Sequence, residues 1–587
     1  MSLGEVLANP LPPMGRWIGR RLWWVEHAFE RARASERAVD DTRLRIFFVL
    51  ALFCTGFAAL SLGAARAALF SPYDQGVEAA APALGARADL VDRRGELLAL
   101  DLPRYGLYLD PQQIVRKAAV RAALLAALPA IEPAKLDRAL AGDRQEFIVG
   151  GLTPAAMTRL HALAVPGVSF EPQIGRDYPL GALGAHLIGF ASKDGVGLAG
   201  AEKAFDAAIR ADGGKRPVAL SIDLRVQGAL HDELARAAKD YAIADGAGLV
   251  VDVRTGEILA MASWPDFDAN RAGEAAPAAL INHAAASVYE PGSVMKVFTL
   301  ATGLDLGVAT TDTVFDVARP LVLQGQTIHD YDTGDTALPL WEVFTHSSNI
   351  GAAKLGLMIG AQRFSRYYHA YGLFSAAPSV LRESAWPIAP RILGEDTIAS
   401  MSFGQAISVS PLALATGMSA ILNGGLYRPL TLTPVAPGAA PAPGRRVIKA
   451  STSRTMLNLM RLNVLQGTGA KADVAGLRVG GKTGTATKVV DGRYVKGRNA
   501  LNLASFAAVF PTDGPLDADR YLVLVMLDEP RPTAADSGVT TGGLTAAPTA
   551  ARVIRRIAPF LGVRRVIIAS DLAPKPALAV SAPGQDQ

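Results

Sequence analysis

The chain has 587 residues, enough for three or four ordinary domains, and half of them are apolar while 19% are charged. This balance excludes a generally disordered protein. The net charge of +5 is small, aromatics make up 7%, and no long Lys/Arg run is interleaved with them, which argues against nucleic-acid binding. The single cysteine, Cys54, excludes an intrachain disulfide and a cysteine-based metal cluster.

Residues 46–65 form an apolar run of 20 residues without a charge. A helix of this length spans about 30 Å, the thickness of a bilayer's hydrocarbon core. Eight arginines lie between Arg16 and Arg45, whereas only Arg66 follows the run closely. The positive-inside rule therefore predicts a transmembrane helix at 46–65, a cytoplasmic tail at 1–45 and an external remainder. The alternatives are a buried core helix and a cleaved signal peptide, and the 45 preceding residues disfavour the latter.

The external part begins with an Ala/Gly/Pro-rich linker at 66–86. Residues 87–220 then mix short strand-like runs, such as YGLYLD, EFIVGGL and GVSFEP, with Ala/Leu-rich helical patterns. This mixture predicts an α+β pedestal that holds the rest of the chain away from the membrane.

The pattern changes at residue 221. A helix is predicted from there to about 242, with Ser221 and Asp223 as cap residues. Residues 246–263 contain two apolar runs joined by Arg-Thr-Gly-Glu, which predicts a β-hairpin. LASFAAVFP and RYLVLVMLDEP predict two further strands, and the Pro/Ala-rich residues 564–587 predict a C-terminal tail without fixed structure.

Ser293 and Lys296, in the stretch YEPGSVMKVF, share one face if the segment is helical. Because Pro291-Gly292 marks a boundary, Ser293 is expected in the first helical turn, where free N–H groups favour developing negative charge. A serine nucleophile needs a base, and a lysine among apolar neighbours has a lowered pKa that suits it to accept a proton. An exposed helix face explains a bare S-x-x-K equally well, since this pattern is expected roughly once by chance.

Two further motifs raise the odds of a catalytic site. Ser347-Ser348-Asn349 begins an apolar helical pattern, and Lys482-Thr483-Gly484-Thr485 lies in a strand-like stretch. A chance K-T-G-T has odds on the order of one in a hundred or worse. Residues 476–483, GLRVGGKT, have the spacing of a Walker phosphate loop, but a Walker motif needs a loop between a strand and a helix, and K-T-G-T lies in a strand-like stretch.

The ordered trio S-x-x-K, S-x-N and K-T-G resembles the penicillin-recognising serine acyltransferases. RADLVDRRGELLA at 87–99 is similar to the R-G-x-I-x-D-R-N-G-x-x-L-A signature of class B penicillin-binding proteins, although Ala88 and Arg94 replace the usual Gly and Asn. The resemblance covers residues 87–557 and is closest to the FtsI-like septal transpeptidases of Gram-negative bacteria. It also includes the stretches at 176–190, 197–206, 255–271, 423–425, 467–472 and 542–548.

The resemblance implies an α+β fold. Residues 221–563 are expected to form a serine transpeptidase domain of the β-lactamase type, with an antiparallel five-stranded sheet flanked by helices. The transmembrane helix and the elongated α+β pedestal at 87–220, which resembles a dimerisation domain, precede it.

The resemblance also implies roles for the motif residues. Ser293 would attack the penultimate D-Ala carbonyl of a peptidoglycan stem peptide, Lys296 would take its proton, and Ser347 would relay a proton to the leaving amine. The substrate-binding residues would be Asn349, Lys482, Thr483, Gly484 and Thr485, with the backbone N–H groups of Ser293 and Thr485 as the oxyanion hole. Neither a cofactor nor a metal is expected.

The predicted protein is thus a D,D-transpeptidase of the bacterial inner membrane, single-pass, with its N-terminus in the cytoplasm and its catalytic domain in the periplasm. The expected ligands are stem peptides, as donor and amine acceptor, and β-lactams. An FtsW-type glycan polymerase and other divisome membrane proteins are the expected partners. The alternatives are an elongation-type class B enzyme, a carboxypeptidase or β-lactamase, and an inactive penicillin-binding scaffold or β-lactam sensor. The pedestal and the membrane span argue against a soluble hydrolase, and three intact motifs argue against a scaffold.

Overall fold

The computed structural model describes residues 27, 30, 46, 49–61, 87–129, 131–331, 334, 336–379, 381–436, 438–490, 493–494, 501–532 and 540–567. The chain divides into two units, 1–83 and 84–587. In the first unit residues 49–61 are helical, with exposed side chains such as Leu52 and Phe53. No helix within the described ranges is both long and apolar enough to cross a bilayer. The predicted linker, most of the predicted N-terminal tail, part of the predicted span and residues 568–587 lie outside these ranges.

The pedestal in the second unit is built from five strands and six short helices. They are β1 (Leu90–Val91), β2 (Leu97–Leu109), α1 (Lys117–Ala127), α2 (Pro133–Ala141), β3 (Glu146–Leu152), α3 (Pro154–His161), β4 (Val168–Asp177), α4 (Ala185–Ile188), α5 (Gly200–Ala204), α6 (Asp206–Arg210) and β5 (Val218–Ala219). The long strand β2 pairs with β1, β3 and β4, all antiparallel, and β1 pairs parallel with β5. The predicted α+β character of this region is confirmed.

The C-terminal domain follows with the remaining helices and strands. These are α7 (Leu224–Tyr241), β6 (Gly246–Asp252), β7 (Ile258–Trp264), α8 (Lys296–Leu306), β8 (Val314–Asp316), β9 (Leu321–Leu323), β10 (Gln326–Ile328), β11 (Ala337–Pro339), α9 (Leu340–Thr345), α10 (Asn349–Ile359), α11 (Ala361–Ala370), α12 (Glu395–Met401), α13 (Pro411–Leu422), β12 (Leu426–Tyr427), β13 (Arg445–Arg446), α14 (Ala450–Gln466), β14 (Gly480–Thr487), β15 (Val489–Val490), β16 (Arg493–Tyr494), β17 (Asn502–Phe510), β18 (Tyr521–Asp528) and α15 (Ala546–Ile557).

One antiparallel sheet of five strands, in the order β14-β17-β18-β6-β7, organises this domain. The predicted hairpin forms β6 and β7, and the two predicted late strands form β17 and β18. Both faces of the sheet are covered, so its strands are apolar on both sides. On β18, for example, Leu524 belongs to the core with α8 and α13, whereas Val523 and Val525 belong to the core with α7 and α15.

Helix α7 begins at Leu224, directly after Asp223 and three residues after Ser221, the two residues predicted to cap it. The cap is Asp223, whose side chain accepts a hydrogen bond from the backbone N of Arg225. Ser221 was wrongly predicted as a cap: its Oγ is buried and donates to the carbonyl O of Ile258, 2.7 Å away. Ser221 therefore joins the entrance of α7 to the start of β7.

A buried ionic network connects several elements of the pedestal. The carboxylate of Glu202, which is 0% exposed, contacts both Arg87 and Arg176. Arg87 also lies 2.7 Å from Asp206, and Arg176 lies 3.1 Å from Asp101. This network links β2, β4, α5 and α6 to the segment that enters the pedestal.

Replacing Glu202 with alanine is expected to destabilise the protein by about 3–5 kcal/mol, because it leaves two guanidinium groups buried with one carboxylate fewer. Urea unfolding of the full chain measures this. Asp212→Ala, which removes the exposed pair with Arg216, is the control and should cost about 0–1 kcal/mol. Equal effects of the two substitutions would show that the network does not stabilise the pedestal.

Candidate active site

The three motifs meet at one edge of the five-stranded sheet. Ser293 lies in a 3₁₀ turn, Gly292–Met295, that continues into α8. Ser347 and Asn349 stand at the N-terminal end of α10, and Lys482 to Thr485 lie on the edge strand β14. Direct contacts between the side chains of all three motifs define the site.

Lys296 is at the centre of these contacts. Its Nζ lies 2.9 Å from Ser293 Oγ and 2.8 Å from Asn349 Oδ1. It also contacts Ser347 twice, at the carbonyl O (2.5 Å) and at Oγ (3.2 Å). The side chain is 0% exposed. Burial lowers the pKa of Lys296 to about 7, and the negative charge of Asp330 offsets part of this decrease.

Lys482 approaches the same serine from the strand side. Its Nζ donates to Ser347 Oγ at 2.8 Å and to the carbonyl O of Thr483 at 3.1 Å. This side chain is also 0% exposed. Burial, together with repulsion from Lys296, lowers the pKa of Lys482 well below its ordinary value. The hydroxyl of Ser347 therefore lies between two buried amines, and charging one disfavours charging the other.

The backbone of Ser347 has a φ of +63°, in the left-handed region that non-glycine residues rarely adopt. In this conformation both its carbonyl O and its Oγ reach Lys296 Nζ. The next residue, Ser348, caps α10 by accepting from Gly351 N at 2.9 Å. The middle residue of S-x-N thus holds the helix, and the flanking residues contact the lysine.

Asp330, which sequence reasoning missed, fixes the start of α10. Its carboxylate accepts from Ser348 Oγ at 2.6 Å and from the backbone N atoms of Asn349 and Ile350 at 2.5 and 3.0 Å. In addition, Asn349 Nδ2 donates to the carbonyl O of His329 at 3.1 Å. No local pattern marks Asp330, because it stands 17 residues before Ser347 in an irregular segment after β10.

Two glycines allow the nucleophile turn to lie against β14. Gly292 has a φ of +56°, and a Cβ added there would lie 2.7 Å from the carbonyl O of Thr485. A Cβ on Gly484 would lie 2.5 Å from the carbonyl O of Pro291. Gly484, predicted to bind substrate, is buried and has this packing role in the structure. The backbones of residues 292 and 485 are therefore in contact next to Ser293.

The two threonines of K-T-G-T differ in exposure. Thr483 is buried, and its Oγ1 lies 2.7 Å from Oγ1 of Thr468, a residue that motif reasoning did not single out. Thr485 is exposed, and its Oγ1 accepts from Gly542 N at 3.1 Å. Thr485 and the partly exposed Ser293 thus line the open side of the cleft, while the lysines lie beneath it. Within the described residues no group of three or more His, Cys, Asp or Glu side chains could hold a metal ion.

Comparison with protein families gives two matches. Residues 246–554 match the penicillin binding protein transpeptidase domain, which is more than half of the chain. The chain belongs to the class B penicillin-binding proteins. Residues 82–236 match the penicillin-binding protein dimerisation domain, the two-domain architecture of this family. The boundaries predicted at 87, 220 and 563 stay predictions.

This penicillin-binding protein is also similar to individual named proteins. A protein of Caulobacter vibrioides named probable peptidoglycan D,D-transpeptidase FtsI is 52% identical over 94% of each chain. The peptidoglycan D,D-transpeptidase FtsI of Escherichia coli is 31% identical over 79% of this chain and 81% of its own. Stage V sporulation protein D of Bacillus subtilis is 28% identical over 81% of this chain and 79% of its own.

The variant Asp330→Asn tests the electrostatic link between α10 and Lys296. Because it removes the charge that raises the pKa of Lys296, the lysine should stay neutral to lower pH. The pH below which the rate of acylation by penicillin falls should then be lower than in the wild type. Rates measured with a fluorescent penicillin across pH 5–9 check this, with the exposed Asp312→Asn as control. An unchanged midpoint, or a move to higher pH, would contradict the link.

Proposed function

We propose that this penicillin-binding protein is a peptidoglycan D,D-transpeptidase that cross-links stem peptides through an acyl-enzyme on Ser293. One observation carries the proposal: the buried Nζ of Lys296 lies 2.9 Å from Ser293 Oγ. A neutral amine at this distance can accept the hydroxyl proton as the serine attacks. The names of the relatives describe the same reaction.

In the acylation step, Ser293 Oγ forms a bond to the carbonyl carbon of the penultimate D-Ala. The proton of Oγ passes to Lys296 Nζ, and the bond between this carbonyl carbon and the nitrogen of the terminal D-Ala breaks. Ser347 Oγ, in contact with both lysines, relays a proton to the leaving amine. The backbone N–H groups of Ser293 and Thr485 stabilise the oxyanion, each contributing about 3–4 kcal/mol.

The terminal carboxylate of the donor peptide is bound at the Lys482 side of the cleft, by the hydroxyls of Thr483 and Thr485. In the free enzyme burial keeps the pKa of Lys482 low. A carboxylate within a few ångströms favours the charged form of Lys482. That charge in turn disfavours protonation of Lys296 across the shared Ser347 hydroxyl. Binding of the correct substrate therefore prepares Lys296 to act as a base. Asn349 holds the donor by its side-chain amide.

In the second step the amine of an acceptor stem peptide attacks the ester carbonyl. The new amide bond forms, the bond to Ser293 Oγ breaks, and the proton lost by the amine returns to Ser293 through Lys296. β-Lactams acylate the same serine, but their leaving amine stays tethered to the acyl group. Every step uses side-chain and backbone groups of this chain and needs no cofactor.

The cellular setting is proposed from the sequence and the relatives. The apolar run at 46–65 and the preceding arginines support a single inner-membrane anchor with a cytoplasmic N-terminus and a periplasmic catalytic domain. The FtsI names of two relatives support a role at the division septum. Because this enzyme only cross-links, it requires nascent glycan strands from a polymerase of the FtsW type in the same membrane.

The variant Ser293→Ala should abolish covalent labelling by a fluorescent penicillin, since it removes the hydroxyl that forms the ester. Labelling of the full chain in detergent, followed by denaturing electrophoresis, measures this. Ser451→Ala, an exposed serine on α14, is the matched control and should label fully. The proposal fails if Ser293→Ala keeps its fold and labels as strongly as the wild type.

The variant Lys296→Ala should acylate about 10²–10⁴-fold more slowly, the loss expected on removing a general base. Lys296→Arg should be similarly slow, because a guanidinium keeps the charge and does not deprotonate. The second-order rate constant with the same penicillin is the measurement, and the exposed Lys471→Ala is the control. A fast Lys296→Arg variant would assign the proton transfer to another group.

A further inference from the structure

A group of exposed apolar side chains lies in the segment before α12 and on the β9–β10 hairpin. Trp386 is 73% exposed, Ile388 67% and Ile392 83%, all within seven residues of one irregular segment before α12. Val322, on the β9–β10 hairpin, is 72% exposed. Single exposed apolar residues need no explanation, but a group of this kind marks a binding surface. We name these four residues the Trp386 rim.

Two isolated backbone bridges connect the segment of the Trp386 rim to the segment that leads to Ser293. Ile388 pairs with Ser408, and the adjacent Val409 pairs with Tyr289, four residues before the nucleophile. With strands spaced about 4.8 Å apart, the Ile388 backbone lies roughly 10 Å from the segment leading to Ser293. The β9–β10 hairpin is joined to the segment that follows Ile392, because the side chain of Gln326 donates to the carbonyl O of Asp396 at 2.6 Å. The same hairpin leads into Asp330.

The proposed reaction sets a limit on where the sugar chain of the donor must lie. The stem peptide is attached to a glycan strand at its first residue, and Ser293 attacks the carbonyl of its fourth. Four extended residues span about 14 Å at 3.3–3.6 Å each. The glycan strand must therefore pass within about 14 Å of Ser293. The bridges place the backbone of Ile388 roughly 10 Å from Tyr289, four residues before this serine.

We propose that the Trp386 rim is the subsite for the glycan strand of the donor peptidoglycan, an inference that rests on the proposed function. A pyranose ring has a C–H face that packs on the flat, apolar indole, and a periphery of hydroxyl and amide groups that needs polar partners. The exposed Arg391 stands beside Ile392, and Glu383 and Ser384 precede Trp386. The alternation of exposed and covered residues from 386 to 388 places Trp386 and Ile388 on the same outward face of the segment.

The shape of the rim favours a chain-like ligand over a folded protein. A stable protein interface needs about 800 Å² on each partner, whereas the Trp386 rim is three residues of one irregular segment plus one hairpin residue. Trp is also the residue most able to supply binding energy from a small contact. A narrow row with one aromatic platform suits a polysaccharide that lies along it.

The test uses the full chain in detergent and two sugar ligands. One is a peptide-free oligosaccharide of alternating N-acetylglucosamine and N-acetylmuramic acid, and the other is an uncross-linked glycan strand that carries stem peptides. Trp386→Ala should bind the oligosaccharide at least about fivefold more weakly and should raise the KM for the strand relative to the KM for free stem peptide. Trp386→Phe, which keeps an aromatic platform, should retain most of the binding. Val115→Ala, which truncates the 96% exposed Val115 of the pedestal, is the control.

Ile388→Ser provides a second variant in case Trp386→Ala does not fold, as judged by its melting temperature. Oligosaccharide binding that is absent in the wild type, or equal in wild type, Trp386→Ala and Ile388→Ser, would overturn the subsite. Loss of a co-purifying protein without loss of sugar binding would also overturn it and would identify the rim as a protein contact. A wild-type chain that binds the oligosaccharide but never cross-links would refute the proposed function and leave the sugar site standing.

Discussion

Two buried amines that share one hydroxyl are the constraint on which the rest of the site depends. Lys296 and Lys482 are both 0% exposed, and both lie within hydrogen-bonding distance of Ser347 Oγ. Removing two like charges from water at this separation is too costly for both to stay protonated. One of them is therefore available as a base at neutral pH. In the proposed reaction the carboxylate of the substrate decides which amine is the base, because it binds on the Lys482 side of the cleft and favours the charged form of Lys482. Substrate recognition and base activation become a single electrostatic event.

The fold supplies this arrangement by bringing three distant segments to one sheet edge. The five-stranded sheet is buried on both faces, which makes β14 a rigid support for Lys482. The nucleophile turn lies against it because Gly292 and Gly484 leave no side chain between the two backbones. Asp330 holds the N-terminal end of α10, so that Ser347 and Asn349 reach the lysine from the third side. The ionic network around Glu202 joins the elements of the pedestal to one another.

The sequence predicted the parts of this account that depend on local pattern. The hairpin, the late strands and α7 follow from apolar periodicity and turn residues, and the three motifs identified the residues that meet in the cleft. Asp330, Thr468 and the left-handed φ of Ser347 could not be found in this way, since each depends on contacts between segments far apart in the chain. Ser221 shows the same limit, because its side chain does not cap α7 and instead donates a hydrogen bond to the carbonyl O of Ile258, 37 residues later. The burial of Lys482, which lowers its pKa, could not be found from the motif either, because it depends on the packing around β14.

The most direct test of this account is the pKa of Lys296 itself. The side-chain resonance of Lys296 can be followed by NMR in lysine-labelled protein and assigned by its loss in Lys296→Arg. If burial sets the pKa of Lys296, its midpoint in the free enzyme is about 7. A midpoint near the ordinary lysine value of 10.5 would mean that the amine is charged at neutral pH, and the proposed base would be wrong.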